Sequence, residues 1–322
     1  MSLVLFDERL SANETQSCGS CHLQQLAFTD GRAHAVGSTG EVHRRSSMSL
    51  ANIGYASALT WASNVVRTLE DQALMPIFGE MPVELGMAGR EQELLTRFAD
   101  DPASRARFAA AHPDTAEPVT LGNLTGAIAA YQRSLISGDS AYDPYLQGDT
   151  SALDAEAQRG KDLYFAEGLE CFHCHGGFAL SDAVKSDGSA FDELTFHNTG
   201  LYNVDGQGAY PARDQGLYEL TGNPADMGKF RAPTLRNIEV TAPYMHDGSI
   251  ATLDEVLDHY AAGGRTLPEG PDAGVGADNP HKSPFIQGFE LTPDDRSALL
   301  AFLRSLTDEE FLTNPDIGDP GE

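Results

Sequence analysis

The four cysteines of the chain place the strongest constraint on its fold. They lie in two pentapeptides of the same pattern, Cys18-Gly19-Ser20-Cys21-His22 and Cys171-Phe172-His173-Cys174-His175. Cys-x-x-Cys-His is the attachment signature of c-type haem, in which both thiols bond to vinyl groups and the adjacent histidine supplies an axial nitrogen. We therefore expect two covalently bound haem c groups, with His22 and His175 as the proximal iron ligands.

Other uses of paired cysteines fit this pattern less well. A redox Cys-x-x-Cys needs no following histidine, and a structural zinc site would draw four ligands from two such pairs. Disulfide bonds would not place a histidine at the same offset twice. The two motifs use every cysteine in the 322-residue chain, which favours haem attachment.

Charge and hydropathy exclude two broad classes of protein. The chain has 21 Lys and Arg against 48 Asp and Glu, a formal net charge of −27. Nucleic-acid binding is excluded because phosphate neutralisation needs clustered basic side chains. No apolar run is long enough to span a membrane. The acidity favours basic partners, and adaptation to a salty medium explains it equally well.

The spacing of the two motifs predicts two domains, because they lie about one domain length apart. The segment 139–149 is rich in Asp, Gly and Pro and is typical of a linker. We expect a mainly α fold of two cytochrome c-like domains, 1–145 and 146–322, with one haem in each and long loops between helices. Haem would supply much of each core.

Several segments show helical periodicity or helix-start signals. A capping box of Thr252 and Glu255 opens one of them, and the dipeptide Thr292-Pro293 opens another. The four predicted helices are the stripe Leu121, Leu124, Ile128, Tyr131 and Leu135 ended by Gly138, the segment from Ser151 towards Tyr164, the segment from Thr252 to Tyr260, and the last helix from Thr292. The loop 182–228 separates two of them.

Covalent haem attachment takes place outside the bacterial cytoplasm, which predicts a periplasmic or surface-anchored protein. The first residues contain neither a basic region nor a long apolar region, as an export signal would. We expect that a cloning start has replaced the signal peptide.

Three segments carry a family resemblance beyond the haem motifs. They are 231–237 (Arg-Ala-Pro-Thr-Leu-Arg-Asn), 241–249 (Thr-Ala-Pro-Tyr-Met-His-Asp-Gly-Ser) and 251–256 (Ala-Thr-Leu-Asp-Glu-Val). With the paired motifs they resemble the bacterial dihaem cytochrome c peroxidase and MauG superfamily. The resemblance covers nearly the whole chain, more specifically in its second half.

The resemblance implies a second ligand for the iron of the C-terminal, electron-transfer haem. In this family that ligand lies fourteen residues beyond the histidine of the Pro-Tyr-x-His-Asp-Gly block, and it is Met in peroxidases and Tyr in MauG-like proteins. Counting from His246 reaches Tyr260. Without the family, Tyr260 is a core tyrosine on an apolar helix face, and Met245 is a thioether alternative that more often fills core gaps.

For the N-terminal haem, many family peroxidases carry a distal histidine on the loop after the proximal one. Here the corresponding stretch 35–40 reads Ala-Val-Gly-Ser-Thr-Gly. The resemblance therefore implies that the iron bound by His22 has an open sixth position that binds peroxide. If His43 were a ligand of that iron, this expectation would be wrong.

The distal acid and glutamine of the family correspond to Glu84 and Gln72. A carboxylate over an open iron moves a proton between the two peroxide oxygens so that water can leave. Glu80 is the alternative to Glu84 as this distal acid. Without the family resemblance, either residue would be interpreted as a solvated acid on the surface. Trp61, the single tryptophan, falls where the family has a tryptophan between the two haems, although packing is its ordinary role.

Two further groups of residues follow from the resemblance. Thr241 and the carbonyl of Pro243 match two calcium ligands of the family, with Ser46 in place of the usual asparagine. Arg231 and Arg236, with Lys229 nearby, would hold haem propionates, and surface ion pairing is the alternative.

The stretch 59–86 most resembles a branch of MauG-like enzymes that are paired with small copper-binding partner proteins. This branch includes the MauG-like enzyme of methanobactin gene cassettes. This implies that H2O2 forms a high-valent dihaem state that oxidises a protein partner by long-range electron transfer. The alternatives are an ordinary dihaem cytochrome c peroxidase, which reduces H2O2 to water with electrons from a small cytochrome c or cupredoxin, and an electron carrier with both irons fully ligated.

The route by which oxidising equivalents leave the protein must differ from that of MauG. MauG has a surface tryptophan two residues before the second cysteine pair, and here Leu169 occupies that position. Tyr164 is the candidate for the exit route.

Overall fold

Helices and connecting loops make up most of the structure, a computed structural model that describes residues 4–185 and 194–321. The only strands in this part are two short antiparallel ones, β1 (Thr266–Leu267) and β2 (Gly274–Val275), with Thr266 opposite Val275. The α-helices are α1 (Leu69–Phe78), α2 (Glu91–Asp100), α3 (Pro102–Ala111), α4 (Leu121–Ser134), α5 (Tyr142–Leu146), α6 (Ala155–Tyr164), α7 (Cys171–Cys174), α8 (Tyr218–Thr221), α9 (Leu253–Ala261), α10 (Pro293–Arg304) and α11 (Glu309–Thr313). The prediction of a mainly α fold is confirmed.

The four helices predicted from periodicity are present as α4, α6, α9 and α10. The capping box of Thr252 and Glu255 opens α9, and Thr292 caps α10. Helix α6 begins later than predicted because Asp154, not Ser151, accepts the backbone N–H of Ala157.

The predicted linker and the predicted long loop each contain some helix. Helix α5 lies within 139–149, and α8 lies within 182–228. Residues 186–193 of that loop are outside the described part of the chain. Among the described residues, no helix is long and apolar enough to cross a membrane.

Two hydrophobic clusters organise the chain. In the first, α1 packs against α4, and Phe28, Ile77 and Leu124 are fully buried. In the second, α6 packs along α10, with Phe302 fully buried. Each Cys-x-x-Cys-His motif lies beside one cluster, so each half offers its motif an apolar environment.

Contacts between the halves tie the clusters together. The segment containing α11 returns to the first cluster, where Phe311 packs edge-on against Phe28 with ring centroids 5.5 Å apart. Arg45 forms a two-point ion pair with Asp214 at 2.6 Å for each hydrogen bond. The domain boundary near residue 145 stays a prediction.

Gly160 allows the closest approach between two helices in the second cluster. A Cβ atom built on Gly160 of α6 would lie 1.9 Å from the carbonyl oxygen of Ala298 in α10. Because that oxygen belongs to the backbone, the helices would have to move apart. The missing side chain therefore sets the distance between α6 and α10.

We predict that Gly160→Ala lowers the free energy of unfolding by about 1–3 kcal/mol, the usual cost of overpacking a core. Gly126→Ala is the matched control, because Gly126 lies inside α4 and its Cβ would meet no atom within 4 Å. The control should instead stabilise by about 0.5–1 kcal/mol. Denaturant titration of both variants measures this, and equal effects would contradict the close-approach argument.

Candidate dihaem site

The second Cys-x-x-Cys-His motif forms one wall of a cavity of about 340 Å³. Helix α7 carries Cys171 and Cys174, with His175 immediately after it, and α9 places Tyr260 on the same cavity. Both cysteines are free thiols. The residues that the sequence assigned to the second haem are therefore brought together.

His175 is held by backbone carbonyl groups. Its Nδ1 donates to the carbonyl oxygens of Leu180 at 3.2 Å and Pro233 at 3.1 Å, which leaves Nε2 as the ring nitrogen available to a metal. Burial lowers the pKa of His175, so the neutral imidazole that a metal requires is favoured.

The phenol of Tyr260 borders the cavity without a hydrogen-bond partner among the described residues. Burial, with smaller contributions from the thiols of Cys174 and Cys171, raises its pKa well above the ordinary value. A nearby ferric ion would offset this shift, because a strong positive charge favours the ionised phenolate. Its position fits the role of iron ligand. Met245 borders the same cavity.

Arg231 is a buried cation that no acidic side chain among the described residues pairs with. Its guanidinium donates to the carbonyl oxygen of Ala58 and to the sulfur of Met48, and no described residue bonds its Nε. Burial lowers its pKa to about 10. Burying an unpaired charge is costly, and Arg231 borders the cavity. A haem propionate would supply the missing charge, so the residues around this cavity fit haem.

Arg236 and Lys229 do not border the cavity. The Arg236 guanidinium forms two hydrogen bonds to the carboxylate of Asp143, at 2.9 and 2.8 Å, and its Nε donates to the carbonyl of Phe178. Lys229 pairs with Asp226 at 3.1 Å. Arg231 is thus the member of the predicted basic group that faces the cavity.

The first motif presents its histidine in the same way as the second. Cys18–Ser20 form a 3-10 turn, and His22 Nδ1 donates to the carbonyl oxygen of Phe28 at 2.6 Å. Ala27 and Phe28 both adopt left-handed backbone conformations, with φ of 50° and 61°, a strained arrangement for such residues. Burial lowers the pKa of His22, so it too is a neutral imidazole with Nε2 available.

Glu84 lies beside the first motif. Its side chain is 41% exposed, and burial of the rest raises its pKa to about 7, because partial desolvation disfavours the charged carboxylate. Burial is the main cause of the raised pKa of the Cys18 and Cys21 thiols. The charge of Glu84 is the second cause for Cys18, and for Cys21 it comes after the charge of Asp30. Glu80, the competitor of Glu84, is exposed.

Two other predicted residues of the first site have distinct surroundings. Gln72 is half-buried on α1, and no described residue hydrogen-bonds its side chain. His43 Nδ1 lies 3.9 Å from Glu84 Oε1, and its buried Nε2 has no hydrogen-bond partner in the described part of the chain. Burial lowers the pKa of His43. That the iron held by His22 would have an open position stays a prediction. His43 is the residue that would fill this position instead.

Trp61 lies where the two halves meet. Its indole N–H donates to the carbonyl of Ser46 at 2.9 Å, and its own carbonyl accepts the backbone N–H of Arg231 at 2.8 Å. Trp61 borders the cavity of the second motif although it comes from the first half of the chain. That Trp61 lies between two haems stays a prediction.

The three residues considered for calcium border that cavity as well. Ser46, Thr241 and Pro243 all line it. The hydroxyl of Ser46 donates to the carbonyl of Met245 at 3.3 Å, and that of Thr241 donates to the carbonyl of Ile238 at 3.2 Å. Hydroxyl and carbonyl oxygens of this kind suit calcium.

Sequence reasoning missed the partners that position these groups. Asp143, which holds Arg236, lies in the segment assigned to the linker, and no local pattern links the two. The carbonyl of Phe28 that orients His22 depends on two left-handed residues that are not glycine. A turn formed by glycine or asparagine would have been visible in the sequence, whereas this one was not.

Comparison with known proteins agrees with this geometry. The family model described as di-haem cytochrome c peroxidase matches residues 2–151. Cytochrome-c peroxidase IdrP1 of Denitromonas iodatirespirans is 33% identical, over 99% of this chain and 83% of that protein. The chain belongs to the dihaem cytochrome c peroxidase and MauG family. Its relatives are haem-dependent oxidoreductases acting on peroxide, and we assign this activity class to the chain.

Two further relatives connect the chain with the MauG side of the family. Methylamine utilization protein MauG of Methylorubrum extorquens is 30% identical, over 95% of this chain and 76% of that protein. The crystal structure of a MauG-like protein associated with microbial copper homeostasis superposes with a TM-score of 0.97 and is 49% identical. That match covers 100% of this chain and 92% of the other.

We predict that Arg231→Met lowers the free energy of unfolding of the haem-loaded protein by about 3–5 kcal/mol, because a buried propionate loses its partner. Arg304→Met is the control, since Arg304 pairs with Glu239 at the surface and should contribute less than about 1 kcal/mol. Guanidinium chloride unfolding followed by circular dichroism measures both. A more stable Arg231→Met protein would mean that the guanidinium has no anionic partner.

Proposed function

We propose that this protein uses H2O2 to oxidise a side chain of a protein partner, as MauG does, by long-range electron transfer. The observation that carries the proposal is the unpartnered phenol of Tyr260 on the cavity of the second motif. Oxygen ligation by a phenolate stabilises higher iron oxidation states better than a thioether does. A phenol-capped centre is therefore suited to storing oxidising equivalents.

Two covalently attached haem c groups are part of the proposal. Cys18 and Cys21 would attach one haem, with His22 as its ligand, and Cys171 and Cys174 would attach the other, between His175 and Tyr260. When bound, haem supplies the iron that reacts with peroxide and holds the oxidising equivalents. Arg231 would pair with a propionate of the second haem.

Glu84 is the residue proposed to handle protons at the first haem. A carboxylate with a pKa of about 7 is poised to accept a proton from one peroxide oxygen and give it to the other, because both protonation states are populated near neutral pH. Gln72, without a partner among the described residues, would hold the peroxide through its amide. Trp61, at the junction of the halves, would connect the two haems.

Two observations support a protein partner. The 49% identical relative of known structure is described as MauG-like and associated with copper homeostasis, which favours a small copper-binding protein. The net charge of −27 favours a partner with a basic docking surface.

We also propose a periplasmic location, because covalent haem attachment takes place outside the cytoplasm. A calcium ion would be held by Thr241 and the carbonyl of Pro243, near Ser46.

The second candidate is an ordinary cytochrome c peroxidase, which the similarity to IdrP1 over nearly the whole chain favours. Such an enzyme would reduce H2O2 to water with electrons from a small cytochrome c or cupredoxin. Steady peroxide-dependent oxidation of reduced cytochrome c separates the two. Rapid turnover in that assay supports the peroxidase, and its absence supports oxidation of a dedicated partner.

We predict that low-temperature electron paramagnetic resonance of the oxidised protein shows one high-spin and one low-spin ferric centre. Tyr260→Met should shift the low-spin signal to one typical of His/Met ligation, because sulfur replaces oxygen on the iron. Tyr244→Phe is the control, since Tyr244 borders the same cavity but its hydroxyl donates to the carbonyl of Ile238. A low-spin signal unchanged in Tyr260→Met would remove the basis of the proposal.

We predict that peroxide oxidises the protein faster as the pH rises through about 7, and at a constant rate above it. The carboxylate of Glu84 accepts a proton only when ionised, and its pKa of about 7 sets this range. Glu84→Gln should slow the reaction by about 10²–10⁴-fold and abolish the pH dependence. Stopped-flow absorbance measures the rate, with Glu80→Gln as control. A pH profile retained in Glu84→Gln would transfer the role to His43, 3.9 Å away.

A further inference from the structure

We infer that Tyr145 is the surface site from which oxidising equivalents leave the protein, and that it is reached from His175 through contacting aromatic rings. We call these rings the aromatic cluster: Tyr164, Phe165, Phe302, Tyr142 and Tyr145. The inference rests on the proposed function, because it needs oxidising equivalents stored at the second haem. It extends the prediction for Tyr164 to a complete route that ends at α5.

The inner end of the aromatic cluster contacts the proposed haem ligand directly. The hydroxyl of Tyr164 donates to the backbone carbonyl of His175 at 2.7 Å, and Tyr164 borders the cavity. Its ring contacts Phe165 and Phe302, with centroids 4.9 and 5.1 Å apart. One hydrogen bond therefore joins the residue that holds the iron to a group of packed rings.

The middle of the aromatic cluster is formed by Tyr142, which is buried. Its ring centroid lies 5.2 Å from that of Phe302 and 6.5 Å from that of Phe165. It also stacks on Tyr145, with centroids 6.4 Å apart and planes 21° apart. All these separations are typical of rings in contact, so an electron crosses no wide gap between Tyr164 and Tyr145.

The outer end of the aromatic cluster lies at the surface. Tyr145 is half-buried and precedes Leu146, which is 59% exposed. The ammonium of Lys161 lies 5.4 Å from the centre of the Tyr145 ring. A cation in this position disfavours a positively charged ring, so Tyr145 must lose its proton together with its electron.

The fate of the phenol proton distinguishes the three tyrosines. Tyr164 is buried and donates to a carbonyl oxygen, which is too weak a base to take the proton. Tyr142 is buried, and no described residue hydrogen-bonds its hydroxyl. Tyr145 is half-buried and the most exposed of the three, so water can accept its proton most readily. We therefore assign the oxidised site to Tyr145 and a conducting role to the inner rings.

The electron balance follows from the peroxide. Reduction of H2O2 to two water molecules consumes two electrons and two protons. For each electron that moves inward, the O–H bond of Tyr145 breaks, its proton passes to water, and a neutral tyrosyl radical remains. The partner side chain then returns one electron and one proton to Tyr145 and is itself oxidised by one electron. Two such rounds account for one peroxide.

The test uses the haem-loaded protein with one equivalent of H2O2, no partner, and the spin trap 2-methyl-2-nitrosopropane. Absorbance follows the formation and decay of the peroxide-oxidised state, and peptide mass spectrometry locates the adduct. We expect the adduct on Tyr145. In Tyr145→Phe, which keeps the ring contacts, the adduct should disappear and the oxidised state should live several-fold longer. Tyr145→Trp, which keeps an oxidisable ring, should restore the shorter lifetime.

Tyr55→Phe is the matched control. Tyr55 is 41% exposed and stacks edge-on against Phe178, with centroids 5.9 Å apart, but no ring contact among the described residues joins this pair to the aromatic cluster. This variant should behave as the unsubstituted protein does. An adduct on Tyr55, or an unchanged lifetime in Tyr145→Phe, would overturn the inference and leave the proposed function standing. If peroxide produced no oxidised state at all, both would fail.

Discussion

The hydrogen bonds from His22 and His175 to backbone carbonyls are the interactions on which the candidate site depends. His22 is held by the carbonyl of Phe28, and His175 by those of Leu180 and Pro233. Each bond fixes Nδ1 as the protonated nitrogen and turns Nε2 away, which is the arrangement that metal-binding histidines require. Covalent attachment alone would fix only the edge of a haem. These bonds would orient the two histidines toward a bound haem, so that each Nε2 could serve as an iron ligand.

The walls of the site hold polar groups that the protein itself does not satisfy. Among the described residues, neither the Nε of buried Arg231 nor the phenol of Tyr260 has a hydrogen-bond partner. Folded proteins rarely leave such groups without partners. Their locations are consistent with one explanation, in which a haem supplies a carboxylate to the arginine and an iron to the phenol. The fold thus carries an energetic cost that a bound cofactor would relieve.

Sequence reasoning was most successful where the signal is local. The apolar stripe of α4 and the capping box of α9 depend on residues three or four positions apart, so both helices could be predicted. Arg236 was grouped with Arg231 because the two are neighbours in the sequence. Only tertiary structure shows that Asp143 engages Arg236. The return of Phe311 to the first cluster likewise has no local signature. Pairings between distant segments therefore remained out of reach.

The two halves divide the chemistry according to what each buries. The side chain of Glu84 is 41% exposed, so it can exchange protons with water beside the first motif. Around the second motif, Tyr164, Tyr142 and Phe302 are buried, and the hydroxyl of Tyr164 meets only a carbonyl oxygen among the described residues. If oxidising equivalents are stored there as proposed, Tyr164 has no strong base to take its proton. The stored oxidant would then persist until an electron arrived from a more exposed residue. Packing, rather than iron alone, would then determine both the lifetime of the stored oxidant and the surface at which it is discharged.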